Sequence, residues 1–160
     1  MRGYFSAMGA LELRIPPPAI TALVAVMMWG ISSVTPPFEI PGLIRVLATA
    51  LFALTGVCIS IAGVVAFRRA KTTINPMKPE TTSALIFSGI YGRSRNPMYV
   101  GMLFALVAWA IFLSSVWALL GPVAFVLYIN RFQIEPEERV LTAMFGADYA
   151  KYKSAVRQWL

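Results

Sequence analysis

The sequence contains no histidine and only one cysteine, Cys58, which lies in the middle of an apolar run. A single thiol cannot form a disulfide within the chain, and without histidine it cannot build a zinc or iron–sulfur site. The missing histidines also exclude a catalytic triad or a proton shuttle built on imidazole. Any chemistry must therefore use carboxylates, amides, hydroxyls, arginines and a borrowed cofactor, and we expect no bound metal.

Charged residues are also scarce. They make up 13% of the 160 residues, whereas 58% are hydrophobic; a soluble domain normally carries roughly 25% charge. The net charge of +7 would suit nucleic acid on a soluble protein, but here the lysines and arginines lie beside apolar runs. That arrangement favours membrane topology and contact with anionic lipid headgroups, so we expect membrane lipids and not nucleic acid as partners.

Four apolar segments predict an all-α, polytopic membrane protein: Ala19–Val34, Leu43–Phe67, Met98–Leu113 and Val116–Ile129. A spanning helix needs about 20 residues, so the second segment is long enough and the others need flanking residues or a thinner bilayer. Ser114 and Ser115 are the only plausible turn between the last two segments. They predict a tight helical hairpin over residues 98–129, with a kink at Gly121–Pro122 in its second helix.

The basic residues predict the orientation. Thirteen of the 14 lysines and arginines precede the first segment, connect the second to the third, or follow the fourth. The positive-inside rule therefore predicts that both termini and the connection 68–97 are cytoplasmic, with Arg45 snorkelling near the opposite interface. The count of four spans would become five if Tyr4–Leu13 inserted, although Glu12 and Arg14 favour an interfacial position for it.

The same pattern predicts two functional parts. Residues 1–67 are expected to be a membrane anchor of two transmembrane helices. Residues 68–160 are expected to be the catalytic region, made of the cytoplasmic connection, the hairpin and a cytoplasmic tail, 130–160. Within the tail, Pro136 suits the first turn of a helix and Gly146 is a natural helix stop, so a second short helix should follow at the membrane interface.

The start of the third apolar segment is a candidate binding site. Asn96 and Pro97 are a favoured N-cap and first helical residue, which is reason enough for their presence. The same helix end also presents free N–H groups and a partial positive charge, which suit a carboxylate or a ribose hydroxyl. Tyr99 could add a hydroxyl or an aromatic face for a cation, although it and Tyr91 could equally be interfacial aromatic residues.

The tail begins with three acids, Glu135, Glu137 and Glu138. Acids in a first helical turn offset the helix dipole, which is one interpretation. Glu135, however, follows closely on the fourth apolar segment, where an acid is costly unless it is paired or functional. Arg131 is a possible partner at the i, i+4 spacing if the helix continues unbroken.

Two stretches resemble a known family. The stretch Thr72–Gly101, TTINPMKPETTSALIFSGIYGRSRNPMYVG, and the tail Arg131–Leu160, with its EE-x-x-L-x-x-x-FG-x-x-Y-x-x-Y pattern, carry the resemblance. Both are similar to the integral-membrane methyltransferases of the isoprenylcysteine carboxyl methyltransferase and phospholipid N-methyltransferase superfamily. Where the prenylcysteine enzymes have histidine this chain has Asn96, as many prokaryotic relatives do. Where they have an arginine near the acceptor it has Gln133, and Arg131 is the candidate substitute.

The resemblance implies S-adenosylmethionine as the cofactor, bound between the hairpin and the tail and reached from the cytoplasm. The matching cofactor-contacting positions are Ser83, Ala84, Leu85, Ile86, Tyr91, Asn96, Pro97, Met98, Tyr99 and Glu137. The candidate catalytic residues are Arg131, Glu135 and Glu138. Methyl transfer requires proximity and orientation more than acid–base machinery, so a chain without histidine or metal ligands could perform it.

The sequence therefore predicts a membrane methyltransferase that acts on a lipophilic small molecule or lipid entering from the bilayer. If the acceptor is an amine, a base must remove its proton, and Glu135 is the first candidate; a carboxylate or thiolate acceptor needs no base. Two alternatives stay open. One is an NADPH-dependent membrane reductase of the related sterol reductase type, and the other is a non-catalytic membrane scaffold.

Overall fold

The structure, a computed structural model, describes residues 12–70, 77–81 and 84–160, and these residues contain helices and no strand. The five α-helices of the described ranges are α1 Pro17–Val34, α2 Gly42–Arg69, α3 Pro97–Leu113, α4 Leu120–Ile129 and α5 Glu135–Ala155. Short 3-10 helices occur at Pro79–Thr81, Gly89–Gly92 and Trp117–Leu119, and a π-helical stretch, Asn130–Ile134, joins α4 to α5. The predicted all-α class is confirmed.

Three helices in the described part of the chain are long and apolar enough to cross a membrane: α1, α2 and the continuous helix that begins at Trp117. The fourth candidate, α3, is apolar but has 17 residues. At about 1.5 Å per residue it is roughly 26 Å long, close to the thickness of a bilayer core. Large apolar side chains of α2 such as Leu51 and Leu54 are exposed, as expected where lipid surrounds the helix. The protein is an integral membrane protein.

The predicted hairpin is present. Ser114 ends α3 in the left-handed conformation, with φ of 50°, and its N–H donates to the Ile111 carbonyl at 3.0 Å. Gly121 and Pro122, where the sequence predicts a kink, are the second and third residues of α4 and follow directly on the 3-10 helix Trp117–Leu119. The change from 3-10 to α-helix falls just before the proline, and the kink itself stays a prediction.

The helical tail also follows the prediction. Pro136 lies in the first turn of α5, and Gly146, with φ of 51° and ψ of −119°, divides α5 into two helices. Pro136 has no N–H, so it cannot donate to the carbonyl of Phe132 four residues earlier. That carbonyl instead accepts a hydrogen bond from the N–H of Leu13 at 3.0 Å. The Phe132 carbonyl thus joins the segment before α1 to the π-helical stretch.

Helix α1 packs against the hairpin. Met28 of α1 and Phe125 of α4 are completely buried, and Gly121 lies in contact range of the Met28 side chain. The indole N–H of Trp109 in α3 donates to the carbonyl of Ala25 at 3.0 Å. Helix α1 and the hairpin therefore form one packed bundle.

Helices α2 and α3 approach each other through small residues. A Cβ on Gly101 would overlap the Ser60 side chain and would lie 2.6 Å from the Gly56 carbonyl oxygen. Further along α2, a Cβ on Gly63 would lie 2.9 Å from Met98. Small residues permit such close backbone contact between membrane helices. This packing positions the start of α3, where the candidate site begins.

We expect Gly101→Ala to destabilise the protein, because the added methyl group has no room and overpacking typically costs about 1–3 kcal/mol. Gly30→Ala is the matched control, since a Cβ on this α1 glycine meets nothing within 4 Å. Thermal unfolding of the detergent-purified variants measures the effect. A lower midpoint for Gly101→Ala alone is the expected result, and equal midpoints for both variants would contradict the close helix contact.

Candidate active site

Arg95, in the loop before α3, joins that loop to the tail. Its Nε and Nη2 donate to Oε1 of Glu138 at 3.1 and 2.8 Å. Its Nη1 donates to the carbonyls of Val156 at 2.5 Å and Lys153 at 3.2 Å, and its backbone N–H donates to the carbonyl of Arg157 at 2.9 Å. The side chain is only 10% exposed. One arginine therefore holds the residues after α5 against the start of α3.

Asn96 makes a second connection between the same segments. It occupies the N-cap position of α3, as predicted, but its side chain does not cap the helix. Its Nδ2 donates instead to the carbonyl of Gln158 at 3.0 Å. Gln158 in turn donates through Nε2 to Oδ1 of Asn130 at 3.0 Å, and the indole of Trp159 donates to the same oxygen at 3.0 Å. Residues 156–159 are thus held between the α3 start and the α4–α5 junction.

Tyr99 and Glu137 meet at the centre of this arrangement. The buried Tyr99 hydroxyl donates to Oε2 of Glu137 at 3.2 Å. Within the described part of the chain, Oε1 of Glu137 has no hydrogen-bond partner. Burial raises the pKa of Glu137 to about 7, the Tyr99 hydrogen bond partly opposes that shift, and the charge of Glu138 adds to it. A carboxylate with one oxygen to spare therefore lies next to the start of α3.

Tyr91 and Tyr149 lie within electrostatic range of this carboxylate, and Tyr152 contacts both of them. The Tyr152 hydroxyl donates to the carbonyl of Tyr91 at 2.7 Å, and the rings of Tyr149 and Tyr152 are 6.1 Å apart. All three side chains are buried, so Tyr91 does not lie at a lipid-facing surface. Burial and then the charge of Glu137 raise the pKa of Tyr91, while burial raises that of Tyr152 to about 12. These phenols are therefore neutral and offer aromatic faces to a cation.

The three predicted catalytic residues differ in their surroundings. Glu138 is fully engaged, with Oε1 accepting from Arg95 and Oε2 lying 2.8 Å from Nζ of Lys153. We interpret it as a positioning residue for the tail. Glu135 and Arg131 are exposed and form the i, i+4 ion pair expected from their spacing, with Nη1 and Oε2 3.4 Å apart. They remain the candidates for contact with an acceptor.

Sequence reasoning missed the segment before α1. Glu12, with a side chain only 2% exposed, forms ion pairs with Arg131, at 2.9 Å, and with Arg139. Next to it, Nε2 of the buried Gln133 donates to the carbonyl of Ile15 at 2.7 Å, and Oε1 of Gln133 has no partner among the described residues. The sequence offered one signal that this segment belongs to the site, namely an acid, Glu12, within an apolar stretch. Of the stretch Tyr4–Leu13, which would be a fifth span if it inserted, residues 4–11 lie outside the described residues.

The remaining predicted cofactor-contacting residues lie on either side of Tyr91. Pro97 and Met98 form the first turn of α3. Ala84, Leu85 and Ile86 lie in irregular chain before the Gly89–Gly92 turn, and Ala84 is exposed. Among the described residues, no hydrogen bond or ion pair joins these three to the Tyr99–Glu137 pair. Ser83 lies outside the described residues.

Comparison with known proteins gives three findings. The sequence profile of the family described as phospholipid methyltransferase matches residues 43–148. The chain is 46% identical over 63 residues to an uncharacterized protein of Haemophilus influenzae, which covers 39% of this chain and 100% of that protein. It is 34% identical over 85 residues to the protein-S-isoprenylcysteine O-methyltransferase of Saccharomyces cerevisiae, which covers 49% of this chain and 33% of that enzyme.

No solved structure matches the chain. The match to the yeast enzyme spans only a third of that enzyme's length. The matched family range includes α2, the hairpin and the first part of α5, and with them Asn96, Tyr99 and Glu137.

Proposed function

Because the chain belongs to the phospholipid methyltransferase family, we propose that it uses S-adenosylmethionine to methylate a lipophilic acceptor within the membrane. The observation that carries the proposal is the hydrogen bond between Tyr99 and Glu137, 3.2 Å long, which joins the start of α3 to the start of α5. The proposed site lies at this junction. Residues 68–160 are the proposed catalytic region, and the connection 68–97 and the tail 130–160 are proposed to face the cytoplasm, where the cofactor is found.

The residues at this junction fit the proposed cofactor. The spare oxygen of Glu137 suits an ammonium group or the hydroxyls of a ribose. The neutral rings of Tyr91 and Tyr149 suit a sulfonium cation, and the N-terminal end of α3, preceded by Asn96, suits a carboxylate. The ammonium or ribose, the sulfonium and the carboxylate of S-adenosylmethionine therefore each have a complementary group on this chain.

The cofactor supplies a methyl group on a positively charged sulfur, ready for in-line displacement. The chain's own residues bind the cofactor and orient it. Tyr99 fixes the Glu137 carboxylate, while Arg95 and Glu138 hold the tail in place. Orientation of this kind can provide a large part of the rate acceleration in a displacement reaction, and exclusion of water strengthens the attraction between a negative acceptor and the cation.

The need for a base depends on the acceptor. An amine must lose one proton when it is methylated, and Glu135, exposed and paired only loosely with Arg131 at 3.4 Å, is the proposed base. A carboxylate or thiolate acceptor requires no proton transfer. Arg131 is then the group that would attract its negative charge.

The test is methyl transfer itself. The purified protein is incubated with methyl-labelled S-adenosylmethionine and a total lipid extract, and the labelled product is identified by mass spectrometry. We expect label in a lipid. No labelled product, together with NADPH-dependent reduction of a sterol or isoprenoid, would replace the proposal with the reductase alternative; neither activity, with no binding of either cofactor, would favour a scaffold.

The affinity for S-adenosylmethionine should depend on pH through Glu137. Its pKa is raised to about 7, so the carboxylate is mostly ionised at pH 8 and mostly protonated at pH 6. We expect about tenfold weaker binding at pH 6 than at pH 8, one factor of ten corresponding to one unit of pKa. Calorimetric titration at both pH values measures this. The Glu137→Gln variant should lose this difference, and an unchanged pH dependence in that variant would assign the titration to another group.

A further inference from the structure

A cavity lies at the end of the bundle opposite the candidate active site. Its volume is about 540 Å³, and it is lined by the loop from Pro37 to Pro41, by Arg45 of α2 and by Ser114 of the hairpin turn. The loop is joined to the turn through the N–H of Phe38, which donates to the Ser114 carbonyl at 2.6 Å. This hydrogen bond fixes the loop against the hairpin turn, so the wall of the cavity is well defined.

Arg45 is the cation of this cavity. Its Nη1 donates to the Ser114 hydroxyl at 3.3 Å, and its Nε is buried with no hydrogen-bond partner among the described residues. Glu39 lies in the same wall, but no carboxylate in the described part of the chain forms an ion pair with Arg45. A partly buried guanidinium without an anion is costly. The arrangement therefore has a place for an anionic group from outside the chain.

We propose that this cavity binds the phosphate of a glycerophospholipid from the membrane leaflet opposite the cofactor site. A guanidinium binds phosphate through two N–H groups at once, and the partial positive charge at the start of α2 adds to the attraction. The apolar surroundings select a lipid over a soluble anion. Leu43, Ile44 and Leu47 of α2 are each more than half exposed beside Arg45, which gives the acyl chains a surface to lie on.

This lipid is a different molecule from a methyl acceptor. Arg45 lies in the first turn of α2, whereas Gly63, where an added Cβ would lie 2.9 Å from Met98 and 3.7 Å from the Tyr91 hydroxyl, is 18 residues further along the same helix. At about 1.5 Å per residue the two ends are roughly 27 Å apart. The inference therefore does not rest on the proposed methyltransferase activity, and the two can fail separately.

Native mass spectrometry of the detergent-purified protein with added phosphatidylglycerol tests the proposal. We expect one bound lipid to persist on the wild-type protein, and Arg45→Gln to lower the bound fraction at least fivefold. Arg69→Gln is the matched control, because this exposed arginine lies at the other end of α2. Its bound fraction should equal that of the wild-type protein. An equal bound fraction in Arg45→Gln would overturn the proposal.

A competition on the wild-type protein needs no variant and so does not depend on how Arg45→Gln folds. Diacylglycerol, which has the acyl chains without the phosphate, should not displace the bound phosphatidylglycerol. Inorganic phosphate at millimolar concentration should not displace it either. Displacement by diacylglycerol would show that the phosphate is not recognised, and displacement by inorganic phosphate would show a site for a soluble anion; both results contradict a phospholipid site.

Discussion

Replacing Glu137 by glutamine is expected to weaken binding of S-adenosylmethionine about 100-fold at pH 8 and to abolish measurable methyl transfer. Hydrogen bonds to a charged group are worth about 1.5–3 kcal/mol, and the larger value corresponds to a factor of roughly 100. The reason is that Glu137 offers an oxygen with no partner in the described structure, while Tyr99 holds the other at 3.2 Å. Calorimetry and the labelled transfer assay measure the two losses.

The control for this variant is Asp148→Asn. It removes one negative charge from the same helix, α5, at an exposed position, so it should bind the cofactor as tightly as the wild-type protein.

The folding of Glu137→Gln can be checked separately. Because burial raises the pKa of Glu137 to about 7, the folded state loses stability as the pH rises from about 4.5 toward 7 and the group ionises. Glu137→Gln should therefore unfold at pH 8 no earlier than the wild-type protein. An unchanged affinity of Glu137→Gln for S-adenosylmethionine would show that Glu137 is not part of the cofactor site.

Arg95→Gln is expected to lower both the stability of the protein and its affinity for the cofactor. The variant removes the ion pair with Glu138 and two hydrogen bonds to carbonyls of the tail. A loss of about 2–3 kcal/mol follows from charged hydrogen bonds of this kind, which corresponds to a fall of roughly 5–10 °C in the unfolding midpoint. The affinity for S-adenosylmethionine should fall at least tenfold, because the tail is no longer held against α3.

Arg93→Gln is the matched control, since it removes an exposed positive charge two residues away. Arg95→Lys is informative as well, because a lysine can keep the ion pair with Glu138 but lacks the forked geometry that also reaches the carbonyls of Val156 and Lys153. It should fall between the wild-type protein and Arg95→Gln. If Arg95→Gln keeps full affinity although its midpoint falls, the tail is not part of the cofactor site.

Much of the fold follows from local features of the sequence. Apolar runs long enough to span a bilayer can satisfy their backbone only as helices, and the bounds of α1 and α3 agree with the predicted segments within two residues. Helices end at Ser114 and at Gly146 as expected, and both residues adopt a positive φ there. The kink predicted at Gly121–Pro122 stays a prediction, because the effect of a proline depends on whether it lies in the first turn or in the interior of a helix.

The arrangement of the site depends on contacts between distant parts of the chain, which local sequence patterns do not reveal. The partners of Arg95 and Glu12 lie 43 and more residues away along the chain, and the choice of partner depends on how each helix is rotated in the bundle. The contact of Gly56 with Gly101 could not be predicted from the sequence either, because a glycine in a membrane helix has many roles. The positions of Tyr91, Tyr99 and Glu137 were found through the family resemblance, and their assembly around one carboxylate is known only from the structure.

Hydrogen–deuterium exchange with and without S-adenosylmethionine shows whether the start of α3 and the C-terminal tail together hold one cofactor. We expect slower exchange on binding in two separate regions, residues 95–101 and residues 135–158. We expect no change near Arg45 at the other end of the bundle. If S-adenosylmethionine binds but protects only one of these two regions, or neither, the two segments do not form one cofactor site.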